Sequence, residues 1–362
     1  MGREVQVPRT VYRCTASRTL TGSPVRSRPP SVQRVRTEPA DLASKRVGEL
    51  ILQHWGIDAE SVDYAPVGLG SHHWVGSENG TPKWFITGDQ LTPGRFAQLE
   101  GSARLVRELA DSGADFVVAP LRGTKGQLVQ LVDRRWALHA LPYVAGRSTA
   151  QGWSPQWASP TEQGTAARIV GWLHARPLPT YVRHWDPTPP HHAQLLSALR
   201  SVSRPWRAPS SWAAQTYALL STRHGVIDDL LMQYNGLVEW VRTDADPWVL
   251  THGEPDSDNF IRADDGQLLL IDWTTVAVAP RERDLFDVLQ GPGDVLAEYQ
   301  REAGPHSART AAMTMIGLHW RLSHLGHDLA RLLTSDSDED DLTTEWERLN
   351  ERLERAPGQF TV

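Results

Sequence analysis

Three oxygen-bearing side chains fall close together in one stretch of this chain. Thr251–Phe260 reads THGEPDSDNF, and Leu268–Trp273 reads LLLIDW. Glu254 precedes Asn259 by five positions, and Asp272 ends an apolar run thirteen positions further on. Transfer of a phosphoryl group to a hydroxyl calls for such a set. One carboxylate must orient the hydroxyl and accept its proton. Hard oxygen ligands must hold Mg²⁺ on the phosphates, where charge develops in the transition state. Taken singly, these residues would be a surface turn (Pro255, Asp256, Ser257) between two strands, with His252 a packing residue. In this order and at this spacing they read as a catalytic loop.

A second candidate lies far upstream. Val67-Gly68-Leu69-Gly70-Ser71-His72-His73-Trp74 joins two extended stretches, and its small residues would let backbone N–H groups approach phosphate oxygens. Gly68, Gly70 and Ser71 are therefore candidate phosphate-binding residues. Short glycine turns of this kind also occur as ordinary hairpins, so the loop gains weight only from its company.

The elements that must position these residues follow from periodicity. Asp41 to Trp55 reads as a helix capped by Asp41 and ended by Gly56. Val62–Val67, His73–Gly76 and Lys83–Thr87 read as strands, with a turn at Glu78-Asn79-Gly80. Phe96 to Ala110 has one apolar helical face. Phe116–Ala119, Leu128–Val132 and Trp136–Ala140 read as further strands. Beyond Gly146 the pattern turns helical: Thr161–Ala175, Ala193–Val202, Ser211–Thr222, Val226–Val241, and a long helix near Ala308–Leu333. A strand pair at Trp248–Leu250 and Leu268–Ile271 flanks the catalytic segment.

HGE-x₄-N followed by IDW resembles the HGD-x₄-N and [IV]-D-[WFT] signatures of the aminoglycoside phosphotransferase and choline kinase-like small-molecule kinases. The resemblance implies an α+β, bilobal protein-kinase-like fold, with a β-rich N-lobe over residues 41–143 and a mostly helical C-lobe over 144–362. It implies ATP and Mg²⁺ as cofactors, Glu254 as catalytic base, Asn259 and Asp272 as metal ligands, and His252 as a support of the loop. Asp284, in APRERDL, matches a recurrent acid that holds the catalytic region together. LHALPYVAG, Leu138 to Gly146, resembles the inter-lobe hinge, where the backbone of Leu141 and Tyr143 would meet adenine and Gly146 would let the chain turn. The acceptor would lie against residues 150–225, a stretch rich in tryptophan (Trp153, Trp157, Trp172, Trp185, Trp206, Trp212). Aromatic walls with Asp256, Asp258 or Glu282 nearby would suit a cationic, sugar-like acceptor.

Two positions depart from the family pattern. The usual base is Asp, and Glu254 adds a methylene, a displacement of about 1.5 Å. The strand lysine that pairs the nucleotide phosphates is replaced by Thr87, which carries no charge. Phosphates would then rely on metal, Ser71, His72 or an arginine such as Arg104, and Glu100 would occupy the lysine-pairing position with nothing to pair.

Composition sets the outer limits. The 362 residues carry a formal charge of −6, which argues against general nucleic-acid binding. No apolar run approaches the roughly 20 residues that span a bilayer, so no membrane partner is expected. Cys14 is alone, which excludes an internal disulfide and fits a cytoplasmic protein. Residues 1 to about 40, rich in Arg, Ser and Pro, read as a disordered tail, and Asp336 to Asp341 (DSDEDD) as a solvated loop. The expected function is ATP- and Mg²⁺-dependent transfer of the γ-phosphate to a hydroxyl of a small molecule, an aminoglycoside or related antibiotic or amino-sugar, as in antibiotic resistance. The alternative is a nucleotide-binding pseudokinase or interaction module, motivated by Thr87 and Glu254.

Overall fold

Residues 37–67, 70–149, 157, 159–202, 208–291, 293–336 and 342–354 are described by the computed structural model. The expected tail up to residue 36 lies outside them, as do Gly68 and Leu69 of the glycine loop, Trp153, Trp206 and positions 337–341 of the acidic run.

Alternating side chains over 61–90 and 130–142 build one antiparallel sheet. Its strands are β1 (Ser61–Ala65), β2 (His72–Glu78), β3 (Thr81–Gln90), β4 (Gln130–Val132) and β5 (Trp136–Pro142), in the order β1-β2-β3-β5-β4. The β2–β3 turn places Asn79 at φ 49° and Gly80 at φ 67°, the left-handed pair that a two-residue hairpin favours. Because side chains alternate across a strand, Trp74, Ile86, Leu138 and Ala140 share one face and pack on helix α1 (Ser44–Trp55) through Leu42, Val47 and Ile51. His73, Phe85, Thr87, Asp89, Ala137 and His139 fall on the other face, where helix α2 (Arg95–Asp111) sets Leu99 and Ala103 against Ala137.

Asp41 does not cap α1. It lies in a 3₁₀ turn, Ala40–Leu42, that buries Leu42, and its carboxylate accepts the Trp136 indole N–H at 3.1 Å. The capping role passes to Glu38, which accepts the Ser44 amide. Phe116–Ala119 forms no strand of the sheet. Val117 instead makes a single parallel bridge to Leu270, and Phe116 accepts the Leu270 amide at 2.8 Å, which ties the sheet's connection to the catalytic segment.

Beyond β6 (Gly146–Ser148) the chain is mostly helical: α3 (Pro160–His174), α4 (His192–Ser201), α5 (Ser211–Thr243), α6 (Glu282–Val288), α7 (Leu296–Ala303), α8 (Thr310–Thr334) and α9 (Thr343–Glu354). Ser159 and Ser210 cap α3 and α5 through their side-chain oxygens. The two helices expected over 211–241 are one 33-residue helix. A mid-helix glycine costs about 1 kcal/mol, and burial of Leu220, Ile227 and Leu230 against α8 on either side of Gly225 outweighs it. Gly146 has no left-handed φ; its lack of a Cβ matters because one would stand 2.5 Å from the Arg262 carbonyl on the strand paired with β6. The α+β class therefore holds. Among the described residues no helix is long and apolar enough to cross a membrane.

The helical part encloses imidazoles in an apolar setting. Burial, and then the charge of Arg283, lowers His319 from 6.5 to about 4, and burial with Arg352 lowers His324 to about 3. As pH falls through 6.5, the unfolded chain takes up protons that the folded chain refuses. Stability present above about 6.5 is thus lost progressively toward pH 4, by up to about 3 kcal/mol for His319 alone. We predict that the melting temperature falls between pH 7 and pH 5, and that His319→Gln flattens this fall. An unchanged pH slope in the variant would assign the acid sensitivity elsewhere.

Candidate active site

The catalytic segment is held from below. β7 (Val249–Thr251) pairs antiparallel with β10 (Ala277–Ala279), while β8 (Phe260–Ala263) pairs with β9 (Leu268–Leu270). The expected pairing of Trp248–Leu250 with Leu268–Ile271 is not formed: β9 pairs with its hairpin neighbour β8, and β7 reaches past them to β10. The loop His252–Asp256 bridges the two small sheets and passes into a 3₁₀ turn, Ser257–Asn259. Asp256 caps that turn, accepting the amides of Asp258 and Asn259 at 2.9 and 3.2 Å.

Asp284, on the first turn of α6, is fully buried. It accepts the backbone amides of His252 at 2.8 Å and Gly253 at 2.7 Å, and the His174 Nε2–H at 3.1 Å. Burial alone would raise its pKa, yet the hydrogen bond and charge of His174, with Arg283, hold it below the usual carboxylate range. His174 is in turn oriented by Tyr299, whose hydroxyl lies 2.9 Å from Nδ1 and accepts from Arg281 at 3.0 Å. Arg283 donates to Thr251 Oγ1 and the Thr275 carbonyl, both at 3.0 Å. Its guanidinium fills the space beside Gly253, where a Cβ would come within 2.3 Å and where φ is 108°. Glycine is required there twice over.

His252 accepts the Glu254 amide on Nδ1 at 3.3 Å and donates from Nε2 to the Ile271 carbonyl at 2.9 Å. Burial lowers its proton affinity, so it is a neutral clip between the loop and the residue preceding Asp272. The Asn259 side-chain N–H donates to the Glu254 carbonyl at 2.8 Å, and its own backbone carbonyl accepts the Ile271 amide at 2.9 Å. Antiparallel pairing of β8 and β9 thereby brings Asn259 alongside Ile271 and Asp272. Asp272 itself is exposed, at φ 56°, and takes the Thr274 hydroxyl at 2.7 Å on one oxygen. Burial and then Asp272 push Glu254 up to about 7, against Arg283. Burial and Asp258 raise Asp256 to about 6. Burial followed by Asp256, Asp284 and Glu254 lifts Asp287 well above its usual value. Glu254, Asn259 and Asp272 thus converge on one acid-rich loop.

On the sheet, Gly70 has φ 80°, and the Ser71 hydroxyl donates to Asp89 at 3.0 Å. Asp89 is also paired with Arg95 of α2 at 2.7 Å. Thr87 is buried beside this pair. Several expected stand-ins for the missing lysine point elsewhere. His72 lies on the α1 face, 3.1 Å from the Tyr64 hydroxyl and edge-on to Trp136. Arg104 pairs with Glu108 and lies over the Tyr181 ring. Glu100 is exposed; with Arg104 and Tyr181 it lines an outer pocket of about 340 Å³ that none of Glu254, Asn259 and Asp272 reaches. At the expected hinge, Leu141 is paired with Phe85, and the Tyr143 amide donates to the Lys83 carbonyl at 2.9 Å. Only the carbonyl of Tyr143 is left for a base. Glu282 is buried and bound by Arg309 at 2.7 Å, so it offers no charge to an acceptor. Trp157, Trp172, Trp185 and Trp212 are in or against the core.

Sequence reasoning found Asp284 and His252 but missed His174, Tyr299 and Arg283 as supports. His174 stands 110 positions from Asp284, and no local spacing signals it. The strand period of two could have placed His73 and His139 beside Thr87.

Residues 74–313 match the family model of the phosphotransferase enzyme family, APH. No curated protein sequence matches the chain. Among solved structures, the chain is similar to the spectinomycin phosphotransferase APH(9)-Ia in complex with ADP and spectinomycin. That match has 16% identity and a TM-score of 0.68, and covers 85% of this chain and 94% of the other. Amicoumacin kinase hAmiN with AMP-PNP and Ca²⁺ gives 15% identity and TM-score 0.58, over 86% and 94%. The GDP and kanamycin complex of APH(2")-IIia gives 17% and 0.56, over 84% and 97%. These likenesses show a shared protein-kinase-like fold.

The geometry around Asp284 predicts its own failure mode. Asp284→Asn would present amide hydrogens to amides already donating, and should cost about 3–5 kcal/mol. Urea unfolding of the variant measures this; a loss below about 1 kcal/mol would show that the loop amides find other acceptors.

Proposed function

This chain belongs to the phosphotransferase enzyme family, and from that premise we propose that it transfers the γ-phosphate of ATP, with Mg²⁺, to a hydroxyl of a small cationic acceptor, an aminoglycoside or related amino-sugar antibiotic. The observation that carries this reading is the convergence of Glu254, Asn259 and Asp272 around one loop clamped by Asp284. Glu254 has the role of base. A carboxyl whose affinity is pushed up to about 7 is matched to taking a proton near neutral pH.

Asn259 and Asp272 fit a hard cation. The Asn259 N–H is already engaged, which leaves its carbonyl oxygen as the side chain's ligand, and Asp272 keeps one oxygen beyond Thr274. Among the described residues no group of three or more His, Cys, Asp or Glu is poised to hold a metal. Two protein ligands with phosphate and water completing the shell is the usual Mg²⁺ arrangement. Bound there, Mg²⁺ would neutralise charge on the transferred phosphate. Gly70 and Ser71, with Gly68 outside the described residues, are the proposed phosphate loop; the Tyr143 carbonyl is the proposed adenine edge.

The acceptor's positive charge is argued from the acid-rich loop itself, where, after burial, Asp272 and Asp256 raise the proton affinity of Glu254, and Asp258 and Asp272 that of Asp256, a gathering of carboxylates that favours a cation. The names of the similar structures, with spectinomycin and kanamycin as bound antibiotics, support the same class. Thr87 supports a second reading, a nucleotide-binding module with weakened catalysis.

Calorimetry with ATP, with and without Mg²⁺, decides between them. Magnesium-dependent binding should be lost in Asp272→Ala, and spectinomycin and kanamycin are the first acceptors to assay for turnover. Glu254→Gln should keep ATP binding while kcat falls about 10²–10⁴-fold. Binding without turnover on any aminoglycoside would favour the module, and full activity in Glu254→Gln would remove the base assignment.

A further inference from the structure

The position of the missing lysine is not empty of hydrogen-bond donors. Strand register sets His73 opposite Thr87 on one side and His139 opposite Thr87 on the other. The three side chains form a row across β2, β3 and β5 on the face turned away from α1. Going one step along the same face toward the proposed adenine edge, the row is Val75, Phe85 and Leu141. Going one step the other way, Asp89 takes Ser71 and Arg95. Successive rows on one face are about 7 Å apart. The row with Thr87 therefore lies one step inward from where the base would sit, at the level of the phosphates.

We propose that His73 and His139 bind the nucleotide's phosphates in place of the strand lysine, through ring N–H donors. This rests on the nucleotide reading above and assigns residues within it. The His73 ring is fixed at both ends: Nδ1 lies 3.2 Å from Thr87 Oγ1, and Phe85 stacks on the ring at 4.9 Å. With Nδ1 engaged by the threonine, Nε2 is the ring's remaining donor. Thr87 thereby has a positioning role rather than a charge to supply. His139 carries the second signal: its Nδ1 is buried and has no hydrogen-bond partner among the described residues. A buried unpaired ring nitrogen is costly unless a ligand satisfies it. Both rings feel the charge of Asp272, the proposed metal ligand. Burial keeps His73 neutral at ordinary pH, so it acts as a hydrogen-bond donor and not as a fixed charge.

The test separates phosphate binding from packing. Calorimetry on the full chain in the presence of a chelator compares ADP with adenosine for wild type and for His73→Phe with His139→Phe, which keep a ring and remove its N–H donors. The expected result is ADP affinity weakened about ten- to hundredfold in the double variant, with adenosine unchanged within about twofold. Equal weakening of both ligands, or no change for ADP, would overturn the proposal and make the row a packing feature. If the double variant does not fold, ¹⁵N-histidine NMR on the wild type decides. The His73 and His139 ring signals should move on adding ADP and stay in place with adenosine; ring signals indifferent to ADP would overturn it. Wild type that binds neither adenosine nor ADP, with the chelator or with Mg²⁺, would mean the nucleotide reading itself fails, a result read before any variant is made.

Discussion

An ionised carboxylate sealed from water must have all its acceptor capacity used, or the charge is not tolerated. Asp284 meets that condition with two backbone amides of the catalytic loop and the His174 imidazole. The demand runs both ways. The loop residues His252 and Gly253 are themselves buried, and their amides donate to Asp284. Satisfying both fixes the path of the backbone just before Glu254. Its support extends outward through His174, Tyr299 and Arg281 to Asp246, which ties α3, α6, α7 and the end of α5 into one polar chain. A catalytic loop held in this way needs no reorganisation when it engages a phosphate, which is the source of most electrostatic catalysis.

The loop was legible from sequence because its chemistry is local. Glu254, Asn259 and Asp272 are fixed by short hydrogen bonds and one strand pairing, all within a single stretch of chain. Helices with a strong apolar face, such as α1, α2 and α8, were legible for the same reason. What could not be read was set by distant parts of the chain. Whether Gly225 breaks a helix depends on whether Leu220 and Ile227 find α8. Which way His72, Glu100 and Arg104 face depends on where α1 and Tyr181 lie. The Tyr143 amide looked free until β3 supplied the Lys83 carbonyl.

The acid-rich loop is the support for the proposed cationic acceptor. After burial, Asp272 and Asp256 disfavour ionisation of Glu254, and Asp258 and Asp272 that of Asp256, while buried Arg283 donates to a backbone carbonyl and a threonine. Like charges held together in a low-dielectric site weaken the fold, a cost that functional sites commonly carry. A cation bound by this group would relieve the repulsion, so its affinity would include strain already stored in the empty protein.

Thr87 is easier to understand beside Asp89. In the kinase pattern a basic residue on the strand faces an acid on the following helix. Here the strand supplies the acid, Asp89, and the helix the base, Arg95, one row further along the same face. The link between sheet and α2 survives with its polarity reversed. A lysine at position 87 would find no partner on the helix, where Glu100 is exposed, and on the strand only Asp89, whose Oδ1 already takes Arg95 and Ser71 and whose Oδ2 is buried. Its ammonium would be buried against His73 and His139 and would compete with Arg95 for that one carboxylate. A neutral threonine that steadies an imidazole avoids that penalty in the free protein while keeping donors at the phosphate level. The missing lysine and the reversed Asp89–Arg95 pair are therefore one rearrangement of charge, in which the strand gives up its cation because the helix already holds one.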